Sequence, residues 1–345
     1  MSLAGFFSSA HRAYSRAVAT AGTETVVSLG LAGFTLRLCF AGTSLVAEVT
    51  RALQHLAPPR GGNGRTLRVC VWDEASSGCP LPARPWSLSA HTTRGEVKGF
   101  DDSRFEVAYG RGHHALNLLD KVEGLALFCT KSAAETIPQF WAYPLQTILN
   151  WWTRDLGVQM AHLGAVGIDG SAVLLAGLAG SGKSSTGISC LLEGLEYLGD
   201  DHCLLERNGD LYAHCVYSSG KLEKNFIRGF PALLPHAVMS DQPDARKAVV
   251  YLASLFPDRI RSMSRVKAIV TPILSREETT RVVPTELPPV FRSLATSFLV
   301  QTPGAGRAEL RNFRNFLEGI PAYRLHIGED AVAPRRIREL LGELA

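Results

Sequence analysis

Two groups of residues in the second half of this chain have the types and spacing to do chemistry. The first is Gly177-Leu178-Ala179-Gly180-Ser181-Gly182-Lys183-Ser184-Ser185, which fits the phosphate-loop pattern G-x-x-x-x-G-K-[ST]. Glycines let successive backbone N–H groups curl around phosphate oxygens without Cβ clashes. A helix that starts at the loop points its positive end at the same anion. Lys183 would reach the β- and γ-phosphates of a nucleoside triphosphate, and the Ser184 hydroxyl would hold Mg2+. The second group is the pair Asp200-Asp201. Adjacent carboxylates repel, a divalent cation relieves that, and the remaining carboxylate can accept a proton. A surface Asp-Asp turn is the alternative reading of the same two letters.

The elements that must position these groups are visible around them. Ser171–Ala176 is an apolar run that feeds the loop as a strand, and Thr186–Leu192 continues as a helix. The loop pattern arises by chance in roughly one chain in a hundred of this length, so the strand and helix flanks add weight to it. Gly194–Gly199 is a short apolar approach that delivers the two acids at its end, and Cys203–Glu206 follows as a strand. Asp210–Tyr217, residues 248–256, Val266–Val270 and Ile320–Ile327 read as further strands. Ser218–Lys221 reads as a turn, and Lys221, Glu223, Lys224 and Arg228 as a solvated charged segment. Val290–Leu299, Leu310–Leu317 and Ala333–Leu344 read as helices.

The first part of the chain is rich in strand signals. Thr25–Leu31 and Phe34–Phe40 form a pair, with Thr66–Trp72, a piece near Val97, Phe105–Tyr109, Ala115–Leu119 and Leu125–Phe128 after them. Leu45, Val49, Leu53 and Leu56 have helical spacing over Leu45–Leu56, before Pro58-Pro59. Gly61-Gly-Asn-Gly64 is a loop, and His113-His114 a solvated turn without metal-ligand partners at the right spacing. Trp141, Tyr143, Leu145, Ile148, Leu149 and Trp152 make an aromatic helical stripe whose default role is packing. The expectation is an α/β chain in two parts. A strand-rich α+β domain over 1–150 could recognise a substrate, and a P-loop domain over 151–345 carries the chemistry, with the boundary near 130–155.

Composition narrows the classes. The chain has 345 residues, 46% of them hydrophobic and 20% charged, with a formal net charge of +4 and a pI near 8.7. No Lys/Arg block or aromatic-interleaved basic patch points to nucleic acid. No apolar run is long enough for a membrane span. Seven cysteines with no C-x-x-C read as reduced, mostly buried thiols of a cytoplasmic protein. Met1–Ala21 has Arg12 and Arg16 and no acid, which superficially resembles an organellar presequence; a docked amphipathic start is the other reading.

Taken together, the loop and the acids resemble the catalytic domain of HPr kinase/phosphorylase, a serine kinase with a fold akin to phosphoenolpyruvate carboxykinase. His162 stands 15 residues before Gly177, and Asp200 and Asp201 stand 17 and 18 after Lys183, as in that family. The resemblance implies that His162 is an active-site histidine, Lys183 the phosphate lysine, Ser184 and Asp200 the Mg2+ ligands and Asp201 the proton acceptor. The family's metal-binding glutamate stretch is replaced by Lys221-Leu-Glu-Lys-Asn-Phe-Ile-Arg228, where Glu223 is the nearest acid, and Arg246 is a candidate for its later arginine. Tyr197-Leu-Gly-Asp-Asp, Tyr217-Ser-Ser-Gly-Lys221 and Pro321-Ala-Tyr-Arg-Leu resemble the HPr-kinase-like proteins of peptide-tailoring clusters. That branch implies an ATP- and Mg2+-dependent kinase whose partner is a peptide with a phosphorylatable serine, the C-terminal serine of a lasso-peptide precursor. Three alternatives stay open: a nucleotide-binding module that captures a peptide without transfer, a serine kinase with another substrate, and an ATPase. Homo-oligomer formation is also left open.

Overall fold

The structure is a computed structural model that describes residues 1–59, 64–92, 94–110, 114–178, 180–301 and 306–344. Gly61–Asn63, His113 and Ala179 from the sequence expectations lie outside the described residues. The chain divides into two compact units, one from residues 1–51 and 56–156, the other from Ala52–His55, Gly157–Gln301 and the C-terminal stretch from Gly306.

In the first unit a long helix opens the chain, α1 (Leu3–Ala21). The Ser2 side chain caps its start by accepting from the Gly5 N–H at 3.2 Å. Phe6, Phe7, Ala10, Ala13, Tyr14 and Ala17 recur at helical spacing and are all buried. They pack on a six-stranded sheet ordered β1 (Glu24–Leu31), β2 (Phe34–Ala41), β3 (Thr66–Asp73), β6 (Leu125–Thr130), β5 (Ala115–Asp120) and β4 (Phe105–Gly110). The presequence-like composition of the start thus has a packing cause: small residues and aromatics face Cys39, Cys70, Trp72 and Leu127.

Three sequence expectations are corrected here. The helix read over Leu45–Leu56 is only α2 (Val46–Thr50) followed by a 3-10 turn, Arg51–Leu53. The Ala52 carbonyl accepts from the Ser218 N–H at 2.8 Å and its hydroxyl at 3.2 Å, so it is not available to a fourth helical turn. The strand piece near Val97 is reduced to isolated bridges, and α3 (Glu74–Ser77) is a single turn capped by Asp73. The aromatic stripe is two pieces, α4 (Pro138–Trp141) and α5 (Gln146–Arg154). Pro144 bars its predecessor from helix, and Leu145 restarts the chain in a left-handed conformation.

The second unit is built on a nine-stranded sheet. Its main path runs β10 (Glu196–Gly199), β8 (Gly164–Ile168), β9 (Ser171–Leu175), β15 (Met263–Leu274), β12 (Asp210–Cys215), β11 (Cys203–Asn208) and β7 (Val158–Ala161). β17 (Ala322–Ile327) lies beside the far half of β15, with β16 (Arg281–Thr285) outside it. β9, β15 and β17 are parallel, and a two-residue Asp169-Gly170 turn joins β8 to β9. On one face α6 (Lys183–Leu192) and α9 (Ala333–Glu343) bury Cys190, Ile337 and Leu341 against Val166, Val173 and Val270. On the other, α7 (Leu287–Gln301) and α8 (Arg307–Leu317) bury Leu294, Phe298 and Phe313 against a core that includes Leu174, Leu205 and Ile269.

Ser218–Lys221, read as a turn, is corrected to a strand: β13 (Ser219–Glu223) pairs with β14 (Lys247–Tyr251). Gly220 serves close packing there, because a Cβ would come within 2.9 Å of Ile188 on α6. Residues 248–256 likewise end as strand at Tyr251 and turn into a 3-10 segment. Among the described residues no helix is long and apolar enough to cross a membrane. All seven cysteines are buried and free.

Candidate active site

The glycine loop leaves β9 and enters α6. Gly177 has φ +150°, and a Cβ there would sit 2.5 Å from the Ser181 hydroxyl, so no other residue fits the bend. Gly182 is the N-cap of α6, whose first backbone N–H groups lack partners within the helix. Lys183, 6% exposed, curls back so that Nζ donates to the carbonyls of Gly177 at 2.7 Å and Leu178 at 3.1 Å. Its pKa is lowered by burial and by the neighbouring Lys247, against the pull of Asp201 and Asp200.

The acids arrive from β10. Gly199 is needed before them, since a Cβ would meet the Cys203 sulfur at 2.7 Å and the His202 carbonyl at 3.0 Å. Asp200 is 3% exposed. Its Oδ2 accepts from the Lys221 N–H at 2.9 Å, and the Ser184 hydroxyl faces the same carboxylate and favours its charged form. Burial and the Asp201 charge outweigh these and push Asp200 up to about 6. Its Oδ1 is buried without a hydrogen-bond partner.

Asp201 is the opposite case. Burial would raise its pKa, but the Lys221 ammonium, 3.2 Å from Oδ2, and His162, whose Nε2 is 3.6 Å from Oδ1, hold it well below the usual carboxylate range. His162 follows β7, and the His202 ring meets it edge-on at 5.4 Å. Burial keeps the His202 pKa well down, so that ring is neutral.

The structure therefore brings together His162, Lys183, Ser184, Asp200 and Asp201 with the loop residues Gly177, Leu178, Gly180, Ser181, Gly182 and Ser185. Glu223 is exposed, on the same strand face as Lys221 and in register with Lys247. Arg246 is exposed beside it, and its carbonyl accepts from the Lys224 N–H. Sequence reading missed Lys221 and Lys247 as site residues, because a charged run carries no sign of which face it presents. The signal that could have found Lys221 was its alternation with buried Leu222 and Gly220.

The residues present fit a divalent cation. Asp200 has one buried carboxylate oxygen without a hydrogen-bond partner, and its carboxylate lies beside the Ser184 hydroxyl at the helix start, a donor set of hard oxygens. Among the described residues no cluster of three or more His, Cys, Asp or Glu stands at metal-holding distances.

No protein-family model matches the chain, and no curated protein does. Among solved structures, the Hpr(Ser) kinase/phosphatase from Coxiella burnetii aligns over 54% of this chain and 97% of its own, at 14% identity and a TM-score of 0.29. A TM-score that low carries neither fold nor activity across to this chain.

Proposed function

We propose that the protein is an ATP-dependent phosphotransferase acting on a serine hydroxyl of a peptide, with the C-terminal serine of a lasso-peptide precursor as the leading acceptor. The observation that carries this reading is the division of labour between two adjacent carboxylates. Asp200 faces Ser184 at the head of the glycine loop with a spare oxygen, while Asp201 is kept ionised by Lys221 and His162. That is the arrangement needed when one acid handles a cation and its neighbour handles a hydroxyl.

The loop amides and Lys183 would bind the triphosphate tail, with Lys183 leaving the Gly177 and Leu178 carbonyls for phosphate oxygens. Ser184 and Asp200 would hold Mg2+, which when bound neutralises charge on the β- and γ-phosphates. Asp201 receives the acceptor hydroxyl and orients its oxygen towards the γ-phosphorus. As the new O–P bond forms and the bridging bond to ADP breaks, the hydroxyl proton passes to the Asp201 carboxylate. A carboxylate held this acidic is a weak base. A loose phosphoryl transfer tolerates that, because orientation and charge stabilisation supply most of the acceleration.

The test is incubation with ATP, Mg2+ and peptides ending in serine or in alanine, read by mass. Gain of one phosphate on the serine peptide alone is the expected result. Phosphate release without any acceptor assigns the site to water as nucleophile. ATP bound without transfer to any peptide or protein makes the chain a capture module.

A further inference from the structure

The Asp201–His162 contact ends on a residue from a distant part of the chain. Ser297 lies on α7, 135 positions from His162, and its Oγ is 2.5 Å from His162 Nδ1. Both side chains are 7% exposed. The next residue, Phe298, stacks on Phe313 of α8 with ring centroids 4.9 Å apart, so the turn that carries Ser297 is anchored in the core.

A neutral imidazole has one N–H, and either nitrogen can carry it. Asp201 is paired through Oδ2 with the Lys221 ammonium, and a carboxylate paired in this way only accepts, so Nε2, which faces its Oδ1, needs the hydrogen. The neutral ring then has a bare Nδ1 that only a donor can satisfy. A hydroxyl can turn its O–H that way. Around the pair, His202 covers the ring edge-on and Lys221 takes the other Asp201 oxygen.

We propose that Ser297 is a positioning residue: its O–H donates to His162 Nδ1, fixes the Nε2–H tautomer, and thereby holds the Asp201 carboxylate in the orientation that receives the acceptor hydroxyl. Without the hydroxyl, the hydrogen moves to Nδ1 or the ring turns, and His162 no longer presents an N–H to Asp201 Oδ1. The role in transfer rests on the phosphotransferase reading; the hydrogen-bond assignment stands apart from it.

The test uses the full chain labelled with 15N-histidine, in wild type, Ser297→Ala and Ser297→Thr. Long-range proton–nitrogen correlation separates the two tautomers of the His162 ring. Wild type shows Nε2–H, Ser297→Ala loses its predominance, and Ser297→Thr, which retains the hydroxyl, restores it. In parallel, Ser297→Ala lowers kcat roughly tenfold, the effect of one lost orienting hydrogen bond, with KM for ATP unchanged. If Ser297→Ala does not fold, the wild-type spectrum still decides, because an Nδ1–H or doubly protonated ring at pH 8 overturns the proposal. An unchanged tautomer with unchanged kcat in Ser297→Ala overturns it too. A wild type that transfers no phosphate yet shows the Ser297-dependent tautomer upholds the hydrogen-bond assignment and overturns the phosphotransferase reading alone.

Discussion

Replacing Asp200 by Asn probes the electrostatic cost of setting two carboxylates side by side in a dry site. In the folded protein Asp200 is raised from 3.8 to about 6 by burial and by Asp201. Between those pH values the folded state keeps a proton that the unfolded chain has lost, so stability falls as pH rises. Roughly two pKa units at ~1.4 kcal/mol each put the loss at about 3 kcal/mol by pH 7, and at nothing below the unfolded value. Asp201 acts in another window. Its folded pKa is depressed, so its contribution is present above the ordinary aspartate value and is lost only as pH falls through the folded one.

Urea unfolding from pH 4 to 7.5 reads the difference, and the chain provides an internal control. All five tryptophans, Trp72, Trp86, Trp141, Trp151 and Trp152, belong to the first unit. Far-UV circular dichroism follows both units, while tryptophan emission follows the first. The expected result is a stability difference between Asp200→Asn and wild type that shifts in favour of the variant by roughly 2.5 kcal/mol from pH 4 to pH 7.5 in the dichroism, with no such trend in the emission. Saturating Mg2+ with nucleotide should stabilise wild type and leave the variant nearly unmoved. A difference that stays flat across this pH range refutes the electrostatic reasoning.

Gly177→Ala places a Cβ 2.5 Å from the Ser181 hydroxyl and should weaken ATP binding at least about tenfold by calorimetry, as a distorted anion cradle would. Lys183→Met should lower phosphoryl transfer about a hundredfold or more while the protein stays folded, because the lysine acts on developing phosphate charge. Lys221→Met removes the ammonium beside Asp201, raises the Asp201 pKa, and should move the acid limb of the rate profile to higher pH at a stability cost of about 3 kcal/mol; an unmoved limb counts against Asp201 as the proton acceptor. Phe6→Ala empties a fully buried site against Trp86 and should destabilise the first unit by about 3–5 kcal/mol, seen in tryptophan emission.

The loop, the strand before it and the helix after it were legible because glycine spacing and an apolar run are local signals. The acids were legible for the same reason, standing at the end of a short apolar approach. Ser297 was not, because nothing in α7 separates a serine on its buried face from one on its solvent side until the sheet is in place. Ser218–Lys221 was misread because small residues mark turns and close packing alike, and only the approach of Ile188 to Gly220 distinguishes the two. The Leu45–Leu56 helix failed through a tertiary contact, the capture of the Ala52 carbonyl by Ser218.

That same capture has a practical consequence for dividing the protein. Ala52 and Leu53 are fully buried and count with the second unit, and His55 Nε2 lies 3.2 Å from the Cys215 carbonyl. A fragment beginning at Gly157 would lose this four-residue plug, which is encoded a hundred positions upstream. It would leave the Ser218 amide and hydroxyl without their acceptor, at the residue that immediately precedes the strand carrying Lys221. Mixing such a fragment with a peptide spanning Ala52–His55 should recover stability that the fragment alone lacks.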